Sequence, residues 1–298
     1  MKFTPKLWFA LFGTMFALSA QAQDLTGTLK KIKDSGAITI GNRESSIPFS
    51  YLDEKQQPVG YSMDLCNKVV DAIKAELKLP NLKVAYNPVT SQNRITLMQN
   101  GTIDLECGST TNSVDRQKQV SFGNTTFVTG IRMLVKADSG IKDIAQLDGK
   151  PVVTTTGTTS DALIKASEKG KHIDVKNIYG KDHADSFLMV ESGRAAAFVM
   201  DDVLLAGLIA NAKNPKDFAI VGDPFRVEPY GIMIRKDDPQ FKALVDKTLA
   251  GLMKSGEIVK IYDKWFLNPI PPKGVNMNLP MSKELKDAIA NPNDKGVS

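Results

Sequence analysis

The chain has 298 residues, 42% hydrophobic and 24% charged, which describes an ordinary globular protein long enough for two domains. Its formal net charge of +5 is carried mainly by lysines scattered among acidic neighbours, with only seven arginines and no block of like charge. That distribution argues against a nucleic-acid partner, and no His/Cys grouping has metal-ligand spacing.

The first 22 residues read as an export signal. Lys2 and Lys6 form a basic start, Leu7 to Ala20 is apolar, and Ala20-Gln21-Ala22 fits a small-residue cleavage site. The expected mature chain begins near Gln23 and is secreted. No other stretch approaches the ~18 apolar residues of a membrane span.

Helix and strand signals then alternate. Leu25 to Asp34 reads as a helix, Ala37 to Gly41 as a strand, and Phe49, Tyr51 and Val59 as a short hairpin around Asp53. A long amphipathic helix runs from about Met63 to Leu77 and stops at Pro80. Lys83 to Tyr86 is a strand, Asn93 to Asn100 a helix closed by Gly101, and Ile103 to Cys107 a buried strand. An extended stretch at 131–136 precedes a second round of alternation: strands at 151–155, 175–179, 195–200 and 218–221, and helices after Thr159 and from Asp185 to Ser192. Tyr230 to Lys236 mirrors the earlier extended stretch, so the two look like hinge crossings. Pro239 to Phe266 is helical, the proline-rich run from Asn268 is extended, Ser282 to Ala290 is a short helix, and the last residues are expected to fray. The pattern predicts an α/β clamp of two domains joined by a two-strand hinge, one of residues 23–131 plus 232–298 and the other of 132–231.

Ligands of open α/β sheets sit beyond the carboxyl ends of the strands, and the polar groups gather there. Arg43 follows AITIG. Ser91 and Arg94 follow KVAY. Ser109, Thr111 and Arg116 follow TIDLEC, in a loop of small hydroxyl and glycine residues suited to a carboxylate. Thr158-Thr159-Ser160 begin a helix after VVTTTG and form an anion site by position. His183 precedes a helix. Asp201 ends AAAFVMD, and strand alternation lets only one of Asp201 and Asp202 face a cleft. The three arginines with Asp201, and His183 neutral, sum to +2. Cys66 lies on the apolar stripe of the long helix and Cys107 at the end of a strand. They are either two buried thiols or, if helix packs on strand, a disulfide.

The order strand, Gly-x-Thr-Thr, Arg116, then SFGNTTF resembles the segment GxTxTxxR…dFSxPY of the extracytoplasmic solute-binding proteins, family 3, which serve amino acid ABC transporters. The pieces NRESSIPFSY, TSQNRI, ECGSTTN, TTGTTSDALI, KDHADSF, GRAAAFVMDD and NPIPPK extend the resemblance over both halves, to members that bind acidic amino acids. It implies a binding protein, without cofactor or catalysis, that takes L-glutamate or L-aspartate as a monomer and passes it to a membrane permease complex. It also implies that Thr111 and Arg116 hold the α-carboxylate, and that Arg43, Ser91, Arg94 and His183 surround the side-chain carboxylate. Thr159 and Asp201 would face the α-amino and carboxylate end. The alternative is a dehydratase-like enzyme on the same clamp, for which His183 is the only base in view.

Overall fold

The computed structural model of the protein describes Met1, residues 24–171 and residues 173–298. Apart from Met1, the expected export signal lies outside the described residues.

Helix α1 (Gly27–Ser35) buries Thr28, Leu29 and Ile32 and ends at Gly36, whose φ of 64° is the left-handed cap that glycine adopts freely. Strand β1 (Ala37–Asn42) follows, and β2 (Ser45–Ser46), β3 (Ser50–Leu52) and β4 (Pro58–Val59) form a small antiparallel sheet. In α2 (Tyr61–Leu77) the buried residues Leu65, Val69, Ile73 and Leu77 recur at helical spacing. Next come β5 (Lys83–Pro88), α3 (Arg94–Gln99), β6 (Leu105–Glu106), α4 (Val114–Gln117) and β7 (Val120–Phe122).

The chain then enters a second sheet with β8 (Phe127–Lys136), β9 (Pro151–Thr155), α5 (Thr159–Lys171), β10 (Lys176–Gly180), α6 (His183–Glu191), β11 (Ala197–Asp201), α7 (Asp202–Ala210), β12 (Phe218–Val221) and β13 (Val227–Tyr230). It returns through β14 (Met233–Arg235) and closes with α8 (Pro239–Ser255), α9 (Glu257–Phe266) and α10 (Lys283–Ala290). The first sheet runs β5-β1-β6-β14-β7 and the second β10-β9-β11-β8-β12, each with helices about it, giving two α/β lobes. Pairing is parallel among β5, β1 and β6 and among β10, β9 and β11, whereas β14, β8 and β12 run antiparallel to their neighbours.

Four features differ from the sequence expectation. Residues 131–136 are no crossing: they are the inner half of β8, paired with β11 and β12. The chain changes sheets at 123–126 and at 231–232, where Gly123 N donates to Ile232 O at 2.9 Å. Between them, the first part of β8 pairs with β13 as a two-strand ribbon. An extended, apolar stretch looks the same in a hinge and in a buried strand, and periodicity cannot separate them. The apolar run after Asp201, which carries no polar face to mark a helix, is α7 and is largely buried. The long C-terminal helix breaks at Gly256, φ 74°.

The C-terminus is docked. Val297 N donates to Asn112 O at 3.0 Å, Val114 N to Val297 O at 2.9 Å and Thr125 N to Asn293 O at 2.7 Å. A chain end frays only when its backbone groups find no partners, and here they do.

Of the two readings of the cysteines, the structure has the disulfide: α2 packs so that Cys66 and Cys107 are bonded, their Cα atoms 6.2 Å apart.

Candidate functional site

The site lies where the strand ends of the two lobes face each other. Ser91, Arg94, Ser109 and Thr111 from the first lobe and Thr158, Thr159, His183, Met200 and Asp201 from the second enclose a cavity of about 180 Å³. Seven of the nine predicted residues are in this lining. Arg43 and Arg116 are not, and stand directly behind and beside it. A larger hollow of about 1240 Å³ between α1, α2 and α8 is lined mainly by leucines and lysines and gathers no convergent polar groups.

The arginine end is built from two buried loops. Arg43 follows β1, and its Nη2 donates to Ser91 Oγ at 3.0 Å and lies 3.4 Å from His183 Nε2. Arg94 opens α3, and its Nη1 donates to Thr110 Oγ1 at 2.6 Å. Thr110 in turn donates to Glu106 Oε2 at 2.6 Å, so a hydroxyl links guanidinium to carboxylate. Arg43 Nη1 and Arg94 Nε are buried without a protein partner. Burial first, and the charge of Arg94 second, bring the Arg43 guanidinium down to about 10. Burial likewise lowers Arg94. Both stay cationic at neutral pH.

His183 is the first residue of α6, which Asp182 caps by accepting from Asp185 N at 2.9 Å. Its Nδ1 is 3.0 Å from Thr155 Oγ1. Burial, then the charges of Arg43 and Arg94, hold its pKa well below the usual value. It is neutral at pH 7 and cannot act as a cationic partner.

Arg116 sits on α4, a single helical turn capped by Ser113, where the small polar residues of the sequence predict a loop. Its Nη1 donates to Thr111 O at 3.0 Å and its Nη2 reaches across to Gly157 O of the second lobe at 3.1 Å. Burial, then Arg94, lowers it to about 9. Gly157 (φ 80°) makes this approach tolerable, because a Cβ there would lie 2.7 Å from Gln92 Cα of the first lobe. Thr158 caps α5, accepting from Asp161 N at 3.2 Å.

At the opposite end Asp201 Oδ2 accepts from Tyr230 Oη, and Oδ1 is buried without a partner. Burial, then the charge of Glu228, raises the Asp201 pKa well above the carboxylate range, against the lowering effect of the Tyr230 hydrogen bond. Asp201 faces the cavity and Asp202 does not, though Asp202 is the first residue of α7 rather than part of the strand: its Oδ1 accepts from Thr129 Oγ1 at 2.6 Å and from Val203 N at 2.7 Å. Tyr230 is held by rings of Phe49 and Phe127, centroids 5.2 and 6.0 Å away. Ser109 Oγ donates to Ser46 Oγ at 3.2 Å.

The charge sum expected from sequence needs correcting, because Glu106 and Glu228 are both fully buried beside the site. Counting Arg226, which pairs with Glu228 at 2.5 Å, four arginines face three carboxylates, a net of +1 with Asp201 ionised. Neither is marked in the sequence: Glu106 occupies an interior position of an apolar strand, and Glu228 lies in no strand-end loop of the repeating α/β pattern.

Residues 38–268 match the family described as bacterial extracellular solute-binding proteins, family 3. This chain belongs to that family. Among similar family members, the L-glutamate/L-aspartate-binding protein of Pseudomonas aeruginosa is 55% identical over 289 residues, 97% of this chain and 96% of its own length. The glutamate/aspartate import solute-binding protein of Escherichia coli K12 is 53% identical over 283 residues, 94% of each. In three dimensions the solute receptor for L-cysteine of Neisseria gonorrhoeae superposes with a TM-score of 0.71 at 25% identity, covering 81% of this chain and 94% of that one. The two-lobe clamp is therefore the fold of this family, whose members are described as solute-binding proteins.

Proposed function

We propose that this family 3 protein captures L-glutamate or L-aspartate between its lobes and presents it to an ABC permease. The observation that carries the reading is the pair of buried guanidiniums, Arg43 and Arg94, each with an N–H that has no protein partner, at one end of a cavity whose other end holds Asp201. A buried donor without a partner is costly, and a second carboxylate is the ligand group that satisfies two cationic donors at once. Arg116 would hold the α-carboxylate, and Asp201 the ammonium. Ser91, Ser109, Thr111, Thr159 and His183 complete the proposed contacts. The names of the two bacterial relatives support the same ligand pair.

Closure follows from the connectivity. We place the hinge at the β8–β13 ribbon and the two connections beside it, 123–126 and 231–232, so that the flanking lobes move as bodies. The domains are then close to 23–131 with 232–298, and 132–231. Residues 1–22 would direct export, and the mature protein would work in the periplasm. Nothing in the site favours the dehydratase alternative, since neutral His183 is committed to Arg43 and Thr155.

Titration calorimetry of the mature chain with the twenty amino acids tests this. Glutamate and aspartate should bind, and glutamine should bind at least about a hundredfold more weakly, because it leaves a desolvated arginine uncompensated. Equal affinity for glutamate and glutamine would refute the reading.

A further inference from the structure

Glu228 lies on β13 with no exposed surface. Its Oε1 takes Arg226 Nε at 2.9 Å and Nη2 at 2.5 Å. Its Oε2 takes two hydroxyls, Thr111 of the first lobe at 2.5 Å and Thr159 of the second at 2.7 Å. A carboxylate ion-paired to arginine has no proton to give, so both threonines are donors. A threonine hydroxyl has one proton, and both protons are spent on Glu228. What Thr111 and Thr159 keep for the cavity they line is lone pairs. Asp201 lines the same cavity with Oδ1 free and Oδ2 taken by Tyr230. Three acceptors around one space match the three N–H donors of an ammonium group. A carboxylate, which only accepts, would find no donor on those two hydroxyls.

We infer that Glu228 is a positioning residue that fixes the hydroxyl protons of Thr111 and Thr159, making both threonines acceptors for the ligand's ammonium and tying each lobe to the ribbon between them. The inference rests on the amino-acid reading above and changes one part of it. The resemblance puts Thr111 at the α-carboxylate, whereas its hydroxyl here is turned to the ammonium end, which leaves Arg116 as the side-chain donor to that carboxylate. Glu228 reaches Thr111 because the 110–112 loop is stitched to β13: Asn112 N donates to Pro229 O at 2.8 Å and Gly231 N to Thr110 O at 3.2 Å.

The test compares glutamate with glutarate, the same dicarboxylate without the ammonium, on wild type, Glu228→Gln, Glu228→Asp and Thr159→Val, by calorimetry. The carboxamide of Glu228→Gln can donate to a threonine and let its hydroxyl turn round. Glutamate affinity should fall about tenfold or more, the scale of lost hydrogen bonds to a charged group, while glutarate affinity holds or rises. Glu228→Asp keeps the charge and should recover part of the loss. Thr159→Val leaves the Arg226–Glu228 pair intact, so it decides the matter even where the Gln variant folds poorly, and it should weaken glutamate selectively. Equal losses for the two ligands, or none for glutamate, overturn the inference. A wild type that binds neither ligand overturns the functional reading as well, and that result is distinct from a wild type that binds and variants that do not discriminate.

Discussion

Replacing Arg116 with alanine should weaken glutamate and glutamine alike, because the α-carboxylate is common to both. Arg116 is 8% exposed, and its guanidinium spans the lobes, from Thr111 O at 3.0 Å to Gly157 O at 3.1 Å. Those two carbonyls use two of its five N–H donors and leave the rest for a ligand carboxylate. A hydrogen bond to a charged group contributes about 1.5–3 kcal/mol, so a two-bond contact is worth about 3–6 kcal/mol. At about 1.4 kcal/mol per decade, the dissociation constant should rise roughly 150- to 20,000-fold. The lost bridge to Gly157 adds to this by loosening closure. The unliganded fold should suffer much less, since removing the cation also removes its desolvation cost. Calorimetry gives the affinities, and the ligand-induced rise in Tm gives an independent reading of the same quantity. An Arg116→Ala protein that binds glutamate within about fivefold of wild type would refute the assignment. A loss confined to glutamate would place Arg116 at the side-chain end instead.

Arg43→Met should cost glutamate about a hundredfold and glutamine far less, because Arg43 lies behind Ser91 and His183 at the end that reads the second carboxylate; parallel titrations check the ratio. Gly157→Ala should lower the affinity of every ligand, since φ 80° and a Cβ 2.7 Å from Gln92 Cα both oppose the closed arrangement; small-angle scattering with and without glutamate should show a smaller compaction than in wild type. His183 is held neutral, with its pKa below the unfolded value, so the unfolded chain takes up the proton first as pH falls below about 6.5 and stability drops by up to about 1.4 kcal/mol per pH unit until the folded pKa is reached. Urea titrations of His183→Gln between pH 7 and 5 should show a shallower decline than wild type. Removing the Cys66–Cys107 disulfide, which closes 41 residues, should cost about 4 kcal/mol in the chain-entropy account, and denaturation of the double alanine variant checks it.

The alternation of helices and strands, the amphipathic face of α2 and the gathering of Arg43, Arg94 and Arg116 at strand ends were all legible in the chain. They are set by local periodicity and by the rule that binding loops follow strands, which needs only the order of elements. The clamp followed from that order together with the motif resemblance. What the chain did not disclose are relations between distant residues. Whether 131–136 crosses between lobes or lies inside a sheet depends on β11 and β12 arriving beside it. Whether Cys66 meets Cys107, and whether the last residues find Asn112 and Val114, depend on packing that no local pattern encodes. The site shows this most plainly. Thr111 and Glu228 are 117 residues apart, and only their contact decides which way a threonine proton points. A hydroxyl can donate or accept, and the choice belongs to the partner that folding brings to it rather than to the residue itself.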